Sequence, residues 1–161
     1  MTVVPELVRG WYVLALSSLR EWPADLGLPV GHFCAFVACD VREYSDEELY
    51  DFAASLLRAG AVYICAWGPG CSRLERAFDD AIVRRGMENY DTGDDCIPTT
   101  SHPRETVEDA LDFFRDCARP SPAYEATTRA WIAVSVGNAG DLSLLRERIR
   151  DPFCSPPERC G

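Results

Sequence analysis

Short apolar runs alternate with longer amphipathic segments along this chain, and this alternation limits the possible folds more than any other feature. Residues 33–39 and 61–67 are continuous apolar runs, as expected of strands buried on both faces of a sheet. The segments between such runs repeat apolar residues at a spacing of three and four, which predicts helices. Strands alternating with helices form βαβ units. We therefore predict a single three-layer α/β domain, with a mainly parallel sheet of four or five strands and helices on both faces.

Local signals set several element boundaries. Ser45 and Glu48 form a capping box, which predicts a helix start, and Gly60 predicts where that helix ends. A second helix is predicted to stop near Gly86, and Pro103 suits the first turn of a third helix. The order of the strands in the sheet does not follow from one sequence. The predicted strands cover residues 11–16, 33–39, 61–67, 96–99 and 130–136.

The length of the chain favours one domain. With 161 residues it can bury a sizeable core, whereas two full domains would be cramped. We expect residues 1–30 to add an N-terminal strand and loop to a core domain at residues 31–150. Residues 151–161 are rich in proline and are predicted to form a flexible tail. That tail contains Cys154 and Cys160, whose pairing stays open.

The charge balance is acidic, because 26 acidic and 16 basic residues give a formal net charge of −10. Nucleic-acid-binding proteins show the opposite balance, so we expect no nucleic-acid partner. An acidic surface can steer a basic protein partner towards the molecule, or it can serve solubility alone. No apolar stretch approaches the roughly 18 residues that a membrane helix needs, and the N-terminus lacks the basic leader of a signal peptide. We therefore expect a cytoplasmic protein that contacts no membrane.

The cysteines and the basic residues exclude several kinds of site. The 8 cysteines contain no C-x-x-C pair, so neither a zinc ribbon nor a thioredoxin-like motif is predicted. Cys34 and Cys65 lie in predicted strands and Cys117 lies on the apolar face of a predicted helix, which favours burial of all three. Every basic residue is arginine, which excludes a Schiff-base or P-loop lysine. We predict neither a metal nor a cofactor.

Small polar residues cluster where the predicted strands give way to helices. In a parallel sheet these positions share the carboxyl edge, which is where α/β proteins usually bind ligands. A site, if the chain has one, is therefore expected at this edge. The candidate site residues are Asp40, Gly68, Gly70, Cys71, Ser72, Thr99, Thr100, His102 and Asn138.

The segment 68–72 is the sharpest of these clusters. A glycine-rich turn that leads directly into a helix leaves backbone amides free, and the helix dipole favours an anion beside them. The same field favours the thiolate form of Cys71 in the first turn. A small anionic ligand is therefore one possible partner. The alternative is a tight turn in which Cys71 is a small packing residue.

His102 suggests a catalytic arrangement with Cys71. If the two strands adjoin, the imidazole comes within hydrogen-bond reach of the thiol, and Asp40 or Asn138 could orient the ring. The free amides of residues 71–73 would then offer an oxyanion site. In the alternative interpretation, His102 caps the helix that follows it and Asp40 caps the chain reversal after its strand.

Two blocks of this sequence carry a family resemblance: Ala66-Trp67-Gly68 with Cys71 and Asp79-Asp80, and Thr99-Thr100-Ser101-His102 with Phe113-Phe114. On these residues the chain resembles a family of small bacterial proteins, the DUF7684-type domain of unknown function. The resemblance covers residues 33–138 and implies no activity. Ser101 stands where similar proteins carry a bulky aromatic residue. The resemblance draws attention to Trp67, Cys71 and His102.

Two functional hypotheses of different class follow. The first is an acidic cytosolic binding module that engages a protein partner in a regulatory or immunity-like role. The small size, the net charge of −10 and the lack of a complete catalytic or cofactor signature favour it. The alternative is a cysteine-dependent hydrolase or transferase acting on a small anionic substrate at the carboxyl edge. In that enzyme Cys71 would be the nucleophile, His102 the general base, and Asp40 or Asn138 the orienting group.

Overall fold

A computed structural model describes residues 4–28, 31–89, 95–151 and 156 of the chain. The strands are β1 (Glu6–Val8), β2 (Trp11–Leu16), β3 (His32–Cys39), β4 (Ala61–Trp67), β5 (Thr99–His102) and β6 (Thr128–Val136). The helices are α1 (Asp46–Ala59), α2 (Cys71–Asn89), α3 (Val107–Cys117) and α4 (Ala139–Arg150). Short 3₁₀ turns lie at Leu19–Glu21 and Pro122–Tyr124.

The strands form one sheet in the order β1-β2-β6-β3-β4-β5. All neighbouring strands from β2 to β5 in this order are parallel, so the predicted α/β class with a mainly parallel sheet is confirmed. The predicted count of four or five strands is wrong, because the described chain forms 6. Because β6 inserts between β2 and β3, the last strand of the chain lies at the centre of the sheet.

The strand missed from the sequence is β1, which pairs antiparallel with β2. Arg9 and Gly10 connect the two strands, and both adopt positive φ angles, of 49° and 84°. A two-residue turn of this kind matches the twist of a hairpin. Arg-Gly is not among the dipeptides that signal such a turn, and β1 has only 3 residues. A strand of this length is too short for hydrophobic periodicity to predict it.

Two apolar layers enclose the sheet, and we call its two sides the first and second face. On the first face, α1 and α2 bury Leu49, Phe52 and Phe78 against strand residues that include Val37. On the second face, α3 and α4 bury aromatic and aliphatic side chains against the neighbouring strand residue, Phe36. The opposite placement of Phe36 and Val37 follows from the alternation of side chains along a strand. Helices therefore cover both faces, as predicted.

The capping box at Ser45 and Glu48 is present, and Gly60 ends α1 in the left-handed conformation. Two predicted helix boundaries are wrong. The second helix, α2, continues through Gly86, and α3 begins only after Thr106, beyond Pro103. The Thr106 hydroxyl accepts a hydrogen bond from the amide of Asp109, so this residue provides the cap.

The predicted strand at residues 96–99 is displaced towards the C-terminus. The strand begins at Thr99, which pairs with Ile64, and it ends at His102, which pairs with Trp67. The polar block therefore forms the strand itself instead of following it. Cys117 also departs from expectation, because this cysteine is exposed at the end of α3. The predicted tail falls almost wholly outside the described residues, and so do Cys154 and Cys160.

The parallel strands bring their carboxyl ends to one edge of the sheet, and each of the four helices begins at that edge. The predicted gathering of strand ends along a common edge is therefore present. None of the helices in the described ranges combines the length and the apolar character that a membrane span requires.

Candidate functional site

The strand order decides which candidate residues become neighbours at the carboxyl edge. Asp40 follows β3 and Asn138 follows β6, and these two strands are adjacent. Cys71 follows β4 and His102 ends β5, which are also adjacent. Strand β4 separates Asp40 from His102, a gap of about 9 to 10 Å between backbones. The candidate residues therefore lie in a row along the edge, in the order Asn138, Asp40, Cys71 and His102.

The turn before α2 is tight, and backbone amides at the start of the helix donate to carbonyls of the turn itself. Gly68 and Gly70 adopt φ angles of 118° and 75°, in the left-handed region. The amide of Cys71 donates to the Gly68 carbonyl at 3.1 Å, and the amide of Arg73 donates to the Gly70 carbonyl at 2.9 Å. Two of the three amides expected to bind an anion are thus occupied. The local geometry favours the tight-turn alternative over an oxyanion site.

Cys71 lies at the first turn of α2 and is completely buried. Its side chain belongs to the apolar cluster of the first face, which also contains Leu74 and Phe78. Burial raises the pKa of the Cys71 thiol, and the Glu75 carboxylate raises it further, while a hydrogen bond with the backbone of His102 opposes them. The expected lowering of this pKa is therefore wrong, because loss of hydration outweighs the field of the helix terminus.

His102 is buried on the second face of the sheet. Its ring packs on Phe113 of α3 with a centroid distance of 4.5 Å. The ring nitrogen Nδ1 lies 3.4 Å from Glu105 Oε1, and Nε2 lies 3.3 Å from Thr100 Oγ1. The Cys71 thiol hydrogen-bonds with the backbone of this histidine and with its own backbone. The structure therefore does not join the two side chains of the predicted nucleophile–base pair.

Side chains of β5 alternate between the two helical layers and secure this edge strand. Thr99 donates to Asp79 of α2 at 2.6 Å, and Ser101 donates to Glu75 of the same helix. Thr100 points the other way, where its hydroxyl hydrogen-bonds with Tyr63 and Cys65. The roles of Glu75 and Asp79 were not predicted from the sequence. The available signal was the spacing. Glu75 and Asp79 are four residues apart and so share one face of a helix, and their partners Thr99 and Ser101 are two residues apart and so share one face of a strand.

Ser72 and Trp67 complete this part of the edge. The exposed hydroxyl of Ser72 lies 3.4 Å from that of Ser101, so it joins the contacts between α2 and β5. The indole nitrogen of Trp67 donates to the Glu105 carbonyl at 2.8 Å, which fixes the segment that leads into α3. Both residues therefore have structural partners that account for their position.

Asp40 caps the chain reversal after β3, as the alternative interpretation held. Its carboxylate accepts from the amide of Arg42 at 3.1 Å and from the guanidinium of the same residue at 2.7 Å. The Arg42 side chain holds the pKa of the Asp40 carboxyl below its usual range. This exposed ion pair leaves the carboxylate ionised at the molecular surface.

Asn138 lies between the end of β6 and the start of α4. Its side-chain oxygen accepts from the amide of Asp141 at 3.4 Å at the start of α4. It also lines a cavity of about 270 Å³ between the ends of β2 and β6, together with Ser17, Ser135 and Gly137. The segments that follow β2 and β6 turn to opposite faces, which makes this position a topological switch point. The sequence did not reveal it, because the strand order was unknown.

Carboxylates concentrate along the same edge. A carboxylate near a helix N-terminus is stabilised by the helix dipole, and all four helices begin here. Arg58, Arg115 and Arg148 lie in the last turns of three of these helices, on the opposite side of the molecule. We call the carboxylates at this edge the acidic rim. Its members are Asp40, Glu43, Asp46, Glu47, Glu105, Glu108, Asp109 and Asp141.

Within the ranges that the structure describes, the His, Cys, Asp and Glu side chains form no group of three that could hold a metal ion. A comparison with curated proteins finds no match to the chain. A family model described as a domain of unknown function, DUF7684, matches residues 12–152. This match extends from β2 to beyond α4 and includes every candidate residue of the carboxyl edge. The chain therefore belongs to the DUF7684 family of domains of unknown function.

Proposed function

We propose that this protein is a non-catalytic acidic binding module whose acidic rim engages a basic protein partner. The observation that carries the proposal is the concentration of helix-initiating carboxylates on one edge, whereas at the other ends of α3 and α4 the carboxylate of Asp112 is paired with Arg115 and Arg148. The net charge of −10 adds to this local arrangement. A regulatory or immunity-like role in the cytoplasm fits such a module and is part of the proposal.

Most carboxylates of the acidic rim are exposed, although burial raises the pKa of its member Asp141. Arg42 holds the pKa of Asp40 low, and hydrogen bonds with backbone amides hold the pKa of Glu105 low. The side chain of Asp46 is 91% exposed even though it pairs with Arg73. A concentration of exposed carboxylates raises the association rate with a positively charged partner. Because exposed charges are screened by salt, the complex is expected to weaken as ionic strength rises.

The geometry favours binding over cysteine chemistry. A nucleophilic thiol needs access to substrate, a nearby base and a low pKa. Cys71 is buried with a raised pKa, and the nitrogens of His102 face Glu105 and Thr100. The residues that would have formed the enzyme site thus have structural partners of their own.

The test is affinity capture with the purified chain at low ionic strength, followed by identification and purification of the retained protein. The rim variant carries Glu43→Gln and Glu47→Gln, both at exposed positions of the carboxyl edge. The matched control carries Glu125→Gln and Glu147→Gln, which remove the same charge at exposed positions away from that edge.

We expect a basic protein whose affinity falls about tenfold in the rim variant and is unchanged in the control. Cys71→Ala and His102→Ala are expected to bind it as the unmodified chain does, provided that their melting curves show a folded protein. Equal weakening in both charge variants, or retention of no basic protein at low salt, would overturn the proposal.

A further inference from the structure

A groove between α1 and α2 is the feature that the proposed function does not use. It encloses about 850 Å³ on the outside of the first face. It lies towards the C-terminal ends of both helices, away from the acidic rim. The side chains that define its chemistry are Tyr50, Asp51, Ser55, Arg58, Arg84 and Arg85.

Three arginines line this groove without a carboxylate partner among the described residues. Arg58 donates to the Ser55 hydroxyl at 3.0 Å, and Arg85 donates to the Leu57 carbonyl at 3.3 Å. The Arg84 guanidinium stacks over the Tyr50 ring at 5.1 Å from its centroid. A guanidinium has five N–H donors, so each of these contacts leaves most of its donors available.

The groove brings together three arginines that form no ion pair with the described residues, whereas six other described arginines are paired. Carboxylates are in excess in the sequence, and ion pairs form at many arginines of the described chain. Those arginines are Arg20, Arg42, Arg73, Arg115, Arg146 and Arg148. Asp51 is the one carboxylate lining the groove, so its wall carries more positive than negative charge. Capping of the α1 C-terminus accounts for the Arg85 contact but not for the other two arginines.

The titration of a neighbouring histidine is consistent with a positive field here. His32 begins β3 at the opposite edge of the sheet from the acidic rim. Burial lowers the pKa of His32, and the Arg85 guanidinium lowers it further. The Arg85 guanidinium is therefore close enough to His32 to act on the charge of the imidazole.

We infer that this arginine groove binds a small soluble molecule that carries two or more adjacent phosphate groups. Guanidinium groups match phosphate oxygens in charge and in forked geometry, and three of them carry more positive charge than one phosphate monoanion would balance. The enclosed volume lies in the range of small-molecule sites. The groove is separate from the acidic rim, so this inference does not depend on the proposed protein partner.

Calorimetric titration of the full chain with inorganic pyrophosphate tests this inference, with orthophosphate as the single-phosphate comparison. We expect one site for pyrophosphate and at least about tenfold weaker binding of orthophosphate. Arg58→Gln is expected to weaken pyrophosphate binding about tenfold, and Arg84→Gln combined with Arg85→Gln to abolish it. The matched control is Arg104→Gln, at an exposed position on the opposite edge, which should bind as the unmodified chain does.

Three results would overturn the inference: no heat of pyrophosphate binding, equal affinity for both anions, or the same loss in Arg104→Gln as in Arg58→Gln. Tighter binding of a phosphorylated peptide than of pyrophosphate would also overturn it, in favour of a macromolecular partner. If the double variant melts at a lower temperature, Arg58→Gln decides, because this side chain is exposed. The rim variant Glu43→Gln with Glu47→Gln should retain pyrophosphate binding, which separates the two proposals.

Discussion

The thiol of Cys71 and the imidazole of His102 lie on opposite faces of the sheet, although the thiol hydrogen-bonds with the histidine backbone. Cys71 packs in the layer of α1 and α2, whereas the ring of His102 packs on Phe113 of α3. Proximity of two backbones at a sheet edge therefore does not bring their side chains together. The alternation of side chains along β5 is the physical reason.

The labelling of cysteines by iodoacetamide should follow burial. Cys71 has a raised pKa and no exposed surface, so its thiolate is scarcer at neutral pH than that of an ordinary thiol. Cys96 and Cys117 are exposed and should react before Cys71. Peptide mass spectrometry over a time course measures the order of labelling, with the urea-unfolded chain as control. Faster labelling of Cys71 than of Cys96 at mildly acidic pH would contradict this assignment.

Gly68→Ala should destabilise the fold. The residue has a φ of 118°, and an added Cβ would collide with the Cys39 carbonyl oxygen. We expect a loss of about 2 kcal/mol or more in the free energy of unfolding, measured by urea denaturation. Gly86→Ala is the control, because that position is helical and open. It should gain about 0.5 to 1 kcal/mol. A neutral Gly68→Ala would mean that the turn adopts another conformation.

Removal of the α1 capping box should have a measurable cost. The Ser45 hydroxyl accepts from the Glu48 amide at 3.2 Å, and the Glu48 carboxylate accepts from the Ser45 amide at 2.9 Å. Ser45→Ala is expected to lower the free energy of unfolding by about 1 kcal/mol. Ser55→Ala, within the same helix, should change it by less than about 0.5 kcal/mol. Equal effects of the two substitutions in thermal or urea unfolding would argue against the cap.

Stability should fall as the pH drops below the ordinary range of histidine. Burial and the Arg85 guanidinium hold the pKa of His32 below its usual value of 6.5, so the unfolded chain takes up the proton first. The free energy of unfolding therefore decreases as the pH falls from about 6.5 through the lower pKa of His32 in the folded state. His32→Gln should make the free energy of unfolding depend less on pH in this interval. Urea denaturation across the interval measures it, and an unchanged slope in the variant would contradict the assignment.

Where the sequence pattern was long or chemically specific, its prediction held. The bounds of β2 and β4 agree with the predicted strands, and the serine cap of α1 forms as expected. The errors fall where the pattern was short or polar. The strand β1 is too short for periodicity, and the polar β5 resembles a loop until its pairing with β4 is known. Because β5 lies three residues further along the chain than predicted, His102 belongs to the strand and packs beneath α3.

The amino-acid sequence by itself determined the alternation of strands and helices, the burial of the central strands and the common edge at which polar residues collect. It could do so because hydrophobic periodicity and capping depend on residues close together in the chain. Only the tertiary structure decided that β6 enters between β2 and β3 and that Cys71 and His102 face apart. Only the structure, too, placed three arginines in one groove. These outcomes depend on pairings between distant segments, whose free energies depend on packing that no local pattern records.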